Sequence, residues 1–240
     1  MKPQATIVTG GSNGIGAQAV QARAAAGDHV INLDRDQPPA GAPGETVRVD
    51  LSDSVGLRET LAQITGDLAI TRVVNNAGVA LLDPLESFEP DDFHRTLDIN
   101  VIAPALIVQQ ALPAMKAAGW GRVVNIASRA ALGKTLRTAY AGSKGALISA
   151  TRVWALELAR YGVTVNAIGP GPIATELFQR ANPPDAPATK QILETIPVGR
   201  MGEPDDIAHA IDFFLDRRAG FVTGQVLYVC GGMTIGVAST

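Results

Sequence analysis

Tyr140 and Lys144 stand four positions apart in the segment "TAYAGSKGA", residues 138–146. Side chains at positions i and i+4 of a helix lie on one face, so the phenol and the ammonium can approach the same point. A phenol can carry a proton to and from a substrate, but it titrates at about pH 10. A neighbouring ammonium stabilises the phenolate and lowers that pKa, so the pair is a candidate general acid/base. A solvated surface pair is the alternative, and the rest of the chain decides between the two.

Glycines after the first apolar run form a second candidate feature. The run "ATIVT" (5–9) leads into "GGSNGIGAQAV", which places Gly10, Gly14 and Gly16 at a turn and at the start of a helix. Glycine permits a close approach of the backbone, and the free amides of a first helical turn favour a phosphate. The spacing differs from the standard dinucleotide fingerprint, so a plain strand-to-helix turn is the alternative. Ser12 and Asn13 are candidates either to donate to the phosphate or to cap the turn.

Charged residues after the second and third apolar runs bear on which nucleotide binds. Asp34 ends "HVINLD", where a carboxylate accepts the hydroxyls of an adenosine ribose and repels a 2′-phosphate. Asp34 therefore favours NAD, whereas the adjacent Arg35 can pair with the 2′-phosphate of NADP. Asp50 ends "VRVD" and is positioned either to meet the adenine amino group or to cap a turn.

The elements that must position these residues follow from the alternation of short apolar runs with longer amphipathic stretches. Seven runs rich in β-branched residues predict strands at 5–9, 29–33, 46–49, 72–75, 122–127, 163–168 and 225–229. Helices are predicted over 14–26, 52–65, 91–118, 139–160 and 204–217, with a less regular helical excursion over 175–195. This order predicts an α/β fold in one domain, residues 1–240, with a parallel sheet covered on both faces. Ligands of such sheets bind outside the carboxyl ends of the strands.

Composition narrows the class of protein. The chain has 240 residues, 46% hydrophobic and 18% charged, which is typical of a soluble domain with a substantial core. A net charge of −3 gives no electrostatic basis for binding nucleic acid or an anionic membrane. No apolar run reaches the roughly eighteen residues of a membrane helix. Cys230 is the only cysteine, and the three histidines lack metal-ligand spacing, so we expect a cytoplasmic protein with no metal site.

Six motifs occur in an order that identifies a resemblance. They are "TGGSNGIG" (9–16), "NNAG" (75–78), Asn100 in "LDIN", Ser128 in "NIAS", "YAGSK" (140–144) and "GPGPIATEL" (169–177). With these motifs the chain resembles the short-chain dehydrogenase/reductase family over essentially its whole length, including its 3-oxoacyl-carrier-protein reductases. The resemblance implies a Rossmann-like, doubly wound, seven-stranded sheet and a nicotinamide cofactor.

The resemblance also implies roles for individual residues. Tyr140 would be the general acid/base, Lys144 would bind the nicotinamide ribose, Ser128 would donate to the substrate oxygen, and Asn100 would hold a water against Lys144. The predicted cofactor contacts are Gly10, Ser12, Asn13, Gly14, Ile15, Gly16, Asp34, Arg35, Asp50, Leu51, Asn76, Ala77, Gly78, Tyr140, Lys144, Pro170, Gly171, Ile173 and Thr175.

Two variable segments bear on the substrate. The loop "RAALGKTLRT" (129–138) carries Arg129, Lys134 and Arg137 and no acid, which suits an anionic substrate. The alternative is that these cations face solvent or a neighbouring subunit. In the excursion after "GPGPI", Leu177 and Phe178 are predicted to form an apolar wall of the substrate pocket.

The leading hypothesis is an NAD(H)-dependent oxidoreductase that interconverts a secondary alcohol and a ketone, with a small-molecule substrate that can be anionic. Two alternatives are an NADPH-dependent 3-oxoacyl thioester reductase and a nucleotide-binding regulator without turnover. The resemblance further implies a homotetramer or homodimer that pairs through the helix of Tyr140.

Overall fold

All seven predicted strands form, and they lie in one parallel sheet. The computed structural model describes residues 2–82, 84–183 and 186–235. The strands are β1 Gln4–Thr9, β2 His29–Asp34, β3 Glu45–Arg48, β4 Ala69–Asn75, β5 Gly121–Ile126, β6 Val163–Pro170 and β7 Val226–Val229. Their order in the sheet is β3-β2-β1-β4-β5-β6-β7. The sheet is that of the Rossmann-like fold, with its switch point between β1 and β4.

Helices cover both faces of the sheet, which confirms the doubly wound architecture. They are α1 Gly14–Ala25, α2 Ser54–Asp67, α3 Pro90–Leu97, α4 Ala103–Ala118, α5 Thr138–Leu158, α6 Glu176–Ala181, α7 Pro187–Glu194 and α8 Pro204–Leu215. Val20 of α1 and Ile211 of α8 belong to the core on one face. Leu61 of α2 and Ile107 of α4 belong to the core on the other. The connection 35–44 contains no helix, as its proline and glycine content predicts.

The predicted helix 91–118 is interrupted, and the interruption lies at a candidate catalytic residue. Residues Asp98–Ile102 form a π-helical turn between α3 and α4, with Asn100 fully buried inside it. Such turns are frequent at functional sites because they insert one residue and redirect a side chain. The excursion 175–195 resolves into α6 and α7, with residues 184–185 outside the described part.

The segment Pro90–Ala118 is long and apolar enough, by length and composition alone, to cross a membrane. In the fold, its α4 portion packs against the sheet through Ile107, Ala111 and Met115, which are buried. A core helix of a soluble protein passes the same test of length and hydropathy, and α4 has the packing of a core helix.

A chain of buried polar side chains ties β4, β5 and α5 together below the carboxyl ends of the strands. Asn75 Nδ2 donates to Asn125 Oδ1 at 2.8 Å, and Asn125 Nδ2 donates to Thr151 Oγ1 at 2.9 Å. All three residues are almost completely buried, where an unpaired amide is costly. The network therefore sets α5, which carries Tyr140 and Lys144, against the strand that ends at Ile126.

We expect Thr151→Val to lower the free energy of unfolding by about 1–3 kcal/mol, because it leaves the buried Nδ2 of Asn125 without its acceptor. Urea denaturation measures the change. Thr60→Val is the matched control, since the Thr60 hydroxyl donates only to the Gly56 carbonyl one turn earlier. The control should change stability by no more than about 0.5 kcal/mol. Equal effects of the two variants would contradict a bracing role for Thr151.

Candidate active site

The carboxyl ends of the strands open into a cavity of about 410 Å³. It extends from Asp34 at the end of β2 to Tyr140 in the first turn of α5. Most of the predicted site residues line it: Gly10, Asn13, Gly14, Ile15, Asp34, Arg35, Asp50, Leu51, Asn76, Ala77, Gly78, Ser128, Tyr140, Lys144, Pro170, Gly171, Ile173 and Thr175. Ser12, Gly16 and Asn100 are not in the lining, and each has a structural role behind it.

The turn after β1 has the form of a phosphate cradle. Gly10 and Gly14 have φ values of 66° and 53°, which non-glycine residues rarely adopt. A Cβ on Gly16 would lie 2.0 Å from the Gly10 carbonyl oxygen, so glycine is needed for α1 to approach this turn. Asn13 precedes α1 and makes no side-chain cap hydrogen bond. The N-terminal amides of α1 thus face the cavity without a side-chain cap, which fits a dinucleotide pyrophosphate.

Ser12 supports the acidic side of the cavity from behind. Its hydroxyl donates to the Asp36 carbonyl at 2.8 Å and accepts from Asn32 Nδ2 at 3.1 Å. Its backbone amide donates to Asp34 Oδ2 at 2.9 Å. The hydroxyl proton is therefore engaged within the protein, and the structure does not bring Ser12 to the position predicted for a phosphate donor.

Asp34 is held in one orientation at the far end of the cavity. The residue is 8% exposed, and its second carboxylate oxygen accepts from the Asp36 amide at 3.1 Å. A carboxylate has about four acceptor sites, so two backbone donors leave capacity for ribose hydroxyls. Arg35, the candidate partner of a 2′-phosphate, is exposed and lies 3.7 Å from the Asp36 carboxylate. Its charge is thus already partly balanced by an acid.

Asp50 has the turn geometry that is one of the two roles predicted for it. Its Oδ1 accepts from the Ser52 amide at 2.9 Å and from the Ser52 hydroxyl at 2.7 Å, which is the geometry of a turn. These hydrogen bonds lower the pKa of the Asp50 carboxyl. The residue also lines the cavity, so its turn geometry fixes it there.

Lys144 is a buried cation held by a strand. The residue is 3% exposed, and its Nζ donates to the Ile126 carbonyl at 2.7 Å. Burial lowers the pKa of this lysine from 10.5 to about 8. The space around the ammonium depends on Gly78, where a Cβ would lie 3.2 Å from Nζ.

Tyr140 differs from its prediction in the direction of its pKa shift. Burial raises the pKa of the phenol above 10.0, against a hydrogen bond with Ser128 and the charge of Arg137, which lower it. The Lys144 ammonium lies 5.8 Å from the centre of the Tyr140 ring and donates to Ile126. The structure therefore corrects the prediction that Lys144 lowers this pKa. Burial therefore favours the neutral form of the Tyr140 phenol.

Asn100 braces the site with its side chain. Its Nδ2 donates to the Val79 carbonyl at 3.1 Å and to Ser143 Oγ at 2.9 Å, and its Oδ1 accepts from the Val79 amide. Both amide protons are therefore used, which leaves only acceptor capacity for the predicted water. Ser143 in turn donates to the Tyr140 carbonyl at 2.8 Å. The sequence analysis assigned no site role to Ser143, although it lies inside "YAGSK".

Three cations line the end of the cavity nearest to Tyr140. Arg129, Lys134 and Arg137 are all in its lining. Burial, together with the charges of Arg137 and Arg129, lowers the pKa of Lys134. Among the described residues, none of the three forms an ion pair with a carboxylate. Phe178 also lines the cavity, whereas the Leu177 side chain lies outside the described part.

Several lining residues were not predicted. Asp36, Arg95, Glu176 and Asn182 contribute to the cavity wall. Asp36 follows Asp34 by two positions, and Glu176 directly follows Thr175. Both therefore lie close in sequence to residues that were predicted to contact the cofactor. Arg95 on α3 is brought to the cavity only by the tertiary fold, and its charge helps to lower the pKa of Asp50.

Comparison with known proteins agrees with this geometry. A family model described as enoyl-(acyl carrier protein) reductase matches residues 10–234. The (2S)-[(R)-hydroxy(phenyl)methyl]succinyl-CoA dehydrogenase subunit BbsD of Thauera aromatica is 34% identical over 240 residues, which cover 95% of this chain and 96% of that protein.

Two solved structures share the fold over nearly the whole chain. A gluconate 5-dehydrogenase from Burkholderia cenocepacia in complex with NADP and tartrate is 32% identical, with a TM-score of 0.89 over 98% of this chain and 96% of that one. A 4-hydroxyisoleucine dehydrogenase complexed with NADH is 28% identical, with a TM-score of 0.89 over 98% of this chain and 99% of that one.

We expect Lys144 to make the free energy of unfolding depend on pH between about 8 and 10.5. In this window the unfolded chain keeps the lysine protonated while the folded chain releases the proton. The unfolded state then binds more protons, so stability rises with pH across the window and this gain is lost as the pH falls through about 8. Urea denaturation at several pH values should show the rise in the wild type but not in Lys144→Met.

Lys116→Met is the control for this experiment, because Lys116 is exposed at the end of α4. It should retain the rise. Identical pH profiles for the wild type and Lys144→Met would contradict the low pKa of the buried lysine.

Proposed function

The chain belongs to the short-chain dehydrogenase/reductase family, and from that premise we propose that it is an NAD(H)-dependent oxidoreductase that interconverts a secondary alcohol and a ketone. The observation that carries the proposal is the convergence of Ser128, Tyr140 and Lys144 at one end of a cavity whose other end is Asp34. This arrangement can bind a dinucleotide along the cavity and a reacting carbon beside its nicotinamide.

The proposed chemistry divides between the cofactor and the chain. The nicotinamide, when bound, accepts a hydride from the alcohol carbon or returns it to the ketone carbon. Tyr140 takes the hydroxyl proton during oxidation and gives it back during reduction. Ser128, already hydrogen-bonded to Tyr140, donates to the same oxygen, where charge changes during the reaction.

Lys144 is proposed to position the cofactor next to Tyr140. Its ammonium lies beside the Tyr140 ring and is positioned to bind the nicotinamide ribose hydroxyls. Because burial raises the pKa of Tyr140 and lowers that of Lys144, the neutral phenol predominates at pH 7. We therefore propose that ketone reduction is favoured at neutral pH and that alcohol oxidation accelerates as the pH rises.

The preference for NAD rests on charge at the far end of the cavity. Asp34 and Asp36 both line it, and a 2′-phosphate placed there would meet two carboxylates. Arg35 is the one observation that favours NADP, and it lies against Asp36. The relatives differ in this respect, since one of the two solved structures holds NADP and the other NADH.

The substrate is proposed to carry an anionic group. Arg129, Lys134 and Arg137 surround the end of the cavity where the alcohol must lie. The three relatives named above are a gluconate 5-dehydrogenase, a 4-hydroxyisoleucine dehydrogenase and a (2S)-[(R)-hydroxy(phenyl)methyl]succinyl-CoA dehydrogenase subunit, and the substrate in each of these names carries carboxylate or phosphate groups.

A second candidate is an NADPH-dependent 3-oxoacyl thioester reductase, which the charge of Arg35 in the cavity lining favours. A non-catalytic nucleotide-binding regulator is the weakest candidate, because Ser128, Tyr140, Lys144 and Asn100 are all present. The proposal extends to a homodimer or homotetramer in the cytoplasm. Val153 and Leu156 on α5 support self-association, since they are 50% and 84% exposed.

We expect Tyr140→Phe to lower kcat by about a hundredfold to ten-thousandfold, because it removes the proton donor while it keeps the ring. Initial rates of NADH formation and consumption measure the loss. The affinity for NADH should stay close to that of the wild type. Tyr161→Phe, which alters a tyrosine packed between Lys116 and Arg160, is the control and should keep its rate. Full turnover by Tyr140→Phe would contradict the assignment of Tyr140 as the general acid/base.

We expect Asp34→Ala to shift the ratio of kcat/KM for NAD over NADP toward NADP by about tenfold or more, because it removes a fixed negative charge from the 2′ position. Steady-state kinetics with both cofactors measure the ratio. Asp67→Ala removes an equal charge from the exposed end of α2 and should leave the ratio unchanged. No shift in Asp34→Ala would remove the basis for NAD preference.

A further inference from the structure

We infer that the site takes a substrate with two negative charges near its reacting carbon, a hydroxy dicarboxylate or a phosphate monoester, bound by Arg129, Lys134 and Arg137. We call these three residues the cationic cluster. The inference deepens the proposed function and rests on it, because it places the reacting carbon beside Tyr140.

Within the described part of the chain, the cationic cluster lacks the counter-ions that several other cations have. Arg23 pairs with Asp28 at 3.0 Å, and Arg218 pairs with Asp216 at 2.7 Å. No carboxylate of the described residues pairs with a member of the cluster, and no acid appears among the groups that shift the pKa of Lys134. Like charges that converge without an acid are unfavourable, so a bound anion would relieve their repulsion.

Two members of the cationic cluster lie close to the reacting residues in the sequence. Arg129 directly follows Ser128, and Arg137 precedes Tyr140 by three positions at the start of α5. The charge of Arg137 acts on the Tyr140 phenol, and the charges of both arginines act on Lys134. The three cations therefore line the same cavity as Ser128 and Tyr140, which would hold the substrate oxygen.

The loop that carries the cationic cluster contains one residue with a strained backbone conformation. Leu136 has a φ of 59°, and it is the only non-glycine residue with positive φ in the described ranges 2–82, 84–183 and 186–235. This conformation is costly for leucine and is concentrated at ligand sites in proteins. It lies between Lys134 and Arg137 and sets the direction in which the chain enters α5.

The number of charges selects a dianion over a monoanion. Two guanidinium groups can each bind a carboxylate or phosphate in bidentate geometry, and the lysine adds a point charge. A single carboxylate would leave most of this charge unbalanced. The cofactor pyrophosphate is matched elsewhere, by the first turn of α1.

The test is isothermal titration of the full chain, saturated with NADH, with succinate, inorganic phosphate and acetate as non-reacting probes. We expect succinate or phosphate to bind at least about tenfold more tightly than acetate. Arg129→Gln and Arg137→Gln should each lose about tenfold or more of that affinity. Arg160→Gln, which removes an equal charge beside Tyr161, should bind like the wild type.

Each outcome decides the inference. Tight binding of succinate together with weak binding of phosphate identifies a dicarboxylate substrate. Tight binding of phosphate together with weak binding of succinate identifies a phosphate monoester. Equal affinities for acetate and the dianions, no binding of either dianion, or unchanged affinities in both arginine variants would overturn it. The proposed function is tested separately: it is contradicted if no alcohol is turned over in a reaction that depends on Tyr140. If neutral alcohols are turned over by Tyr140 and the dianions do not bind, only the further inference fails.

Discussion

The site depends on a lysine ammonium that is buried against a strand. Lys144 Nζ has one hydrogen bond to the protein, to the Ile126 carbonyl, and burial lowers its pKa to about 8. A buried charge of this kind is tolerated only where the groups that hydrogen-bond to it are fixed in position. Asn125 and Thr151 fix α5 against β5, and Gly78 leaves the space that the ammonium occupies. The packing of α5 against the sheet therefore determines where the reacting groups of the site lie.

Charge is distributed unequally along the cavity, and this gives it a direction. Asp34 and Asp36 lie at one end, and the cationic cluster lies at the other. A dinucleotide whose ribose hydroxyls meet the acids then directs its nicotinamide toward Tyr140, with the substrate beyond it among the cations.

The sequence predicted the strands and the residues at their ends, since both depend on local signals. Runs of β-branched residues and the glycines after β1 are short-range features, and all seven strands are confirmed. The π-helical turn at Asn100 was missed because apolar residues continue across 91–118 without a break. The pKa of Tyr140 was predicted in the wrong direction because burial, a property of the whole fold, outweighs the nearby charges. Ser12 was predicted either to donate to the phosphate or to cap the turn, and its hydroxyl donates to the Asp36 carbonyl in another loop, a contact that no local signal indicates.

A crystal structure of the full chain with NADH is the most direct test of how the cofactor lies in this cavity. We expect the adenosine ribose hydroxyls on the Asp34 carboxylate, the pyrophosphate at the first turn of α1, and the nicotinamide ribose within hydrogen-bond distance of Lys144 Nζ. The nicotinamide ring would then face Tyr140 and Ser128 across a space that the cationic cluster borders. A cofactor bound in the reverse orientation, or outside this cavity, would contradict it.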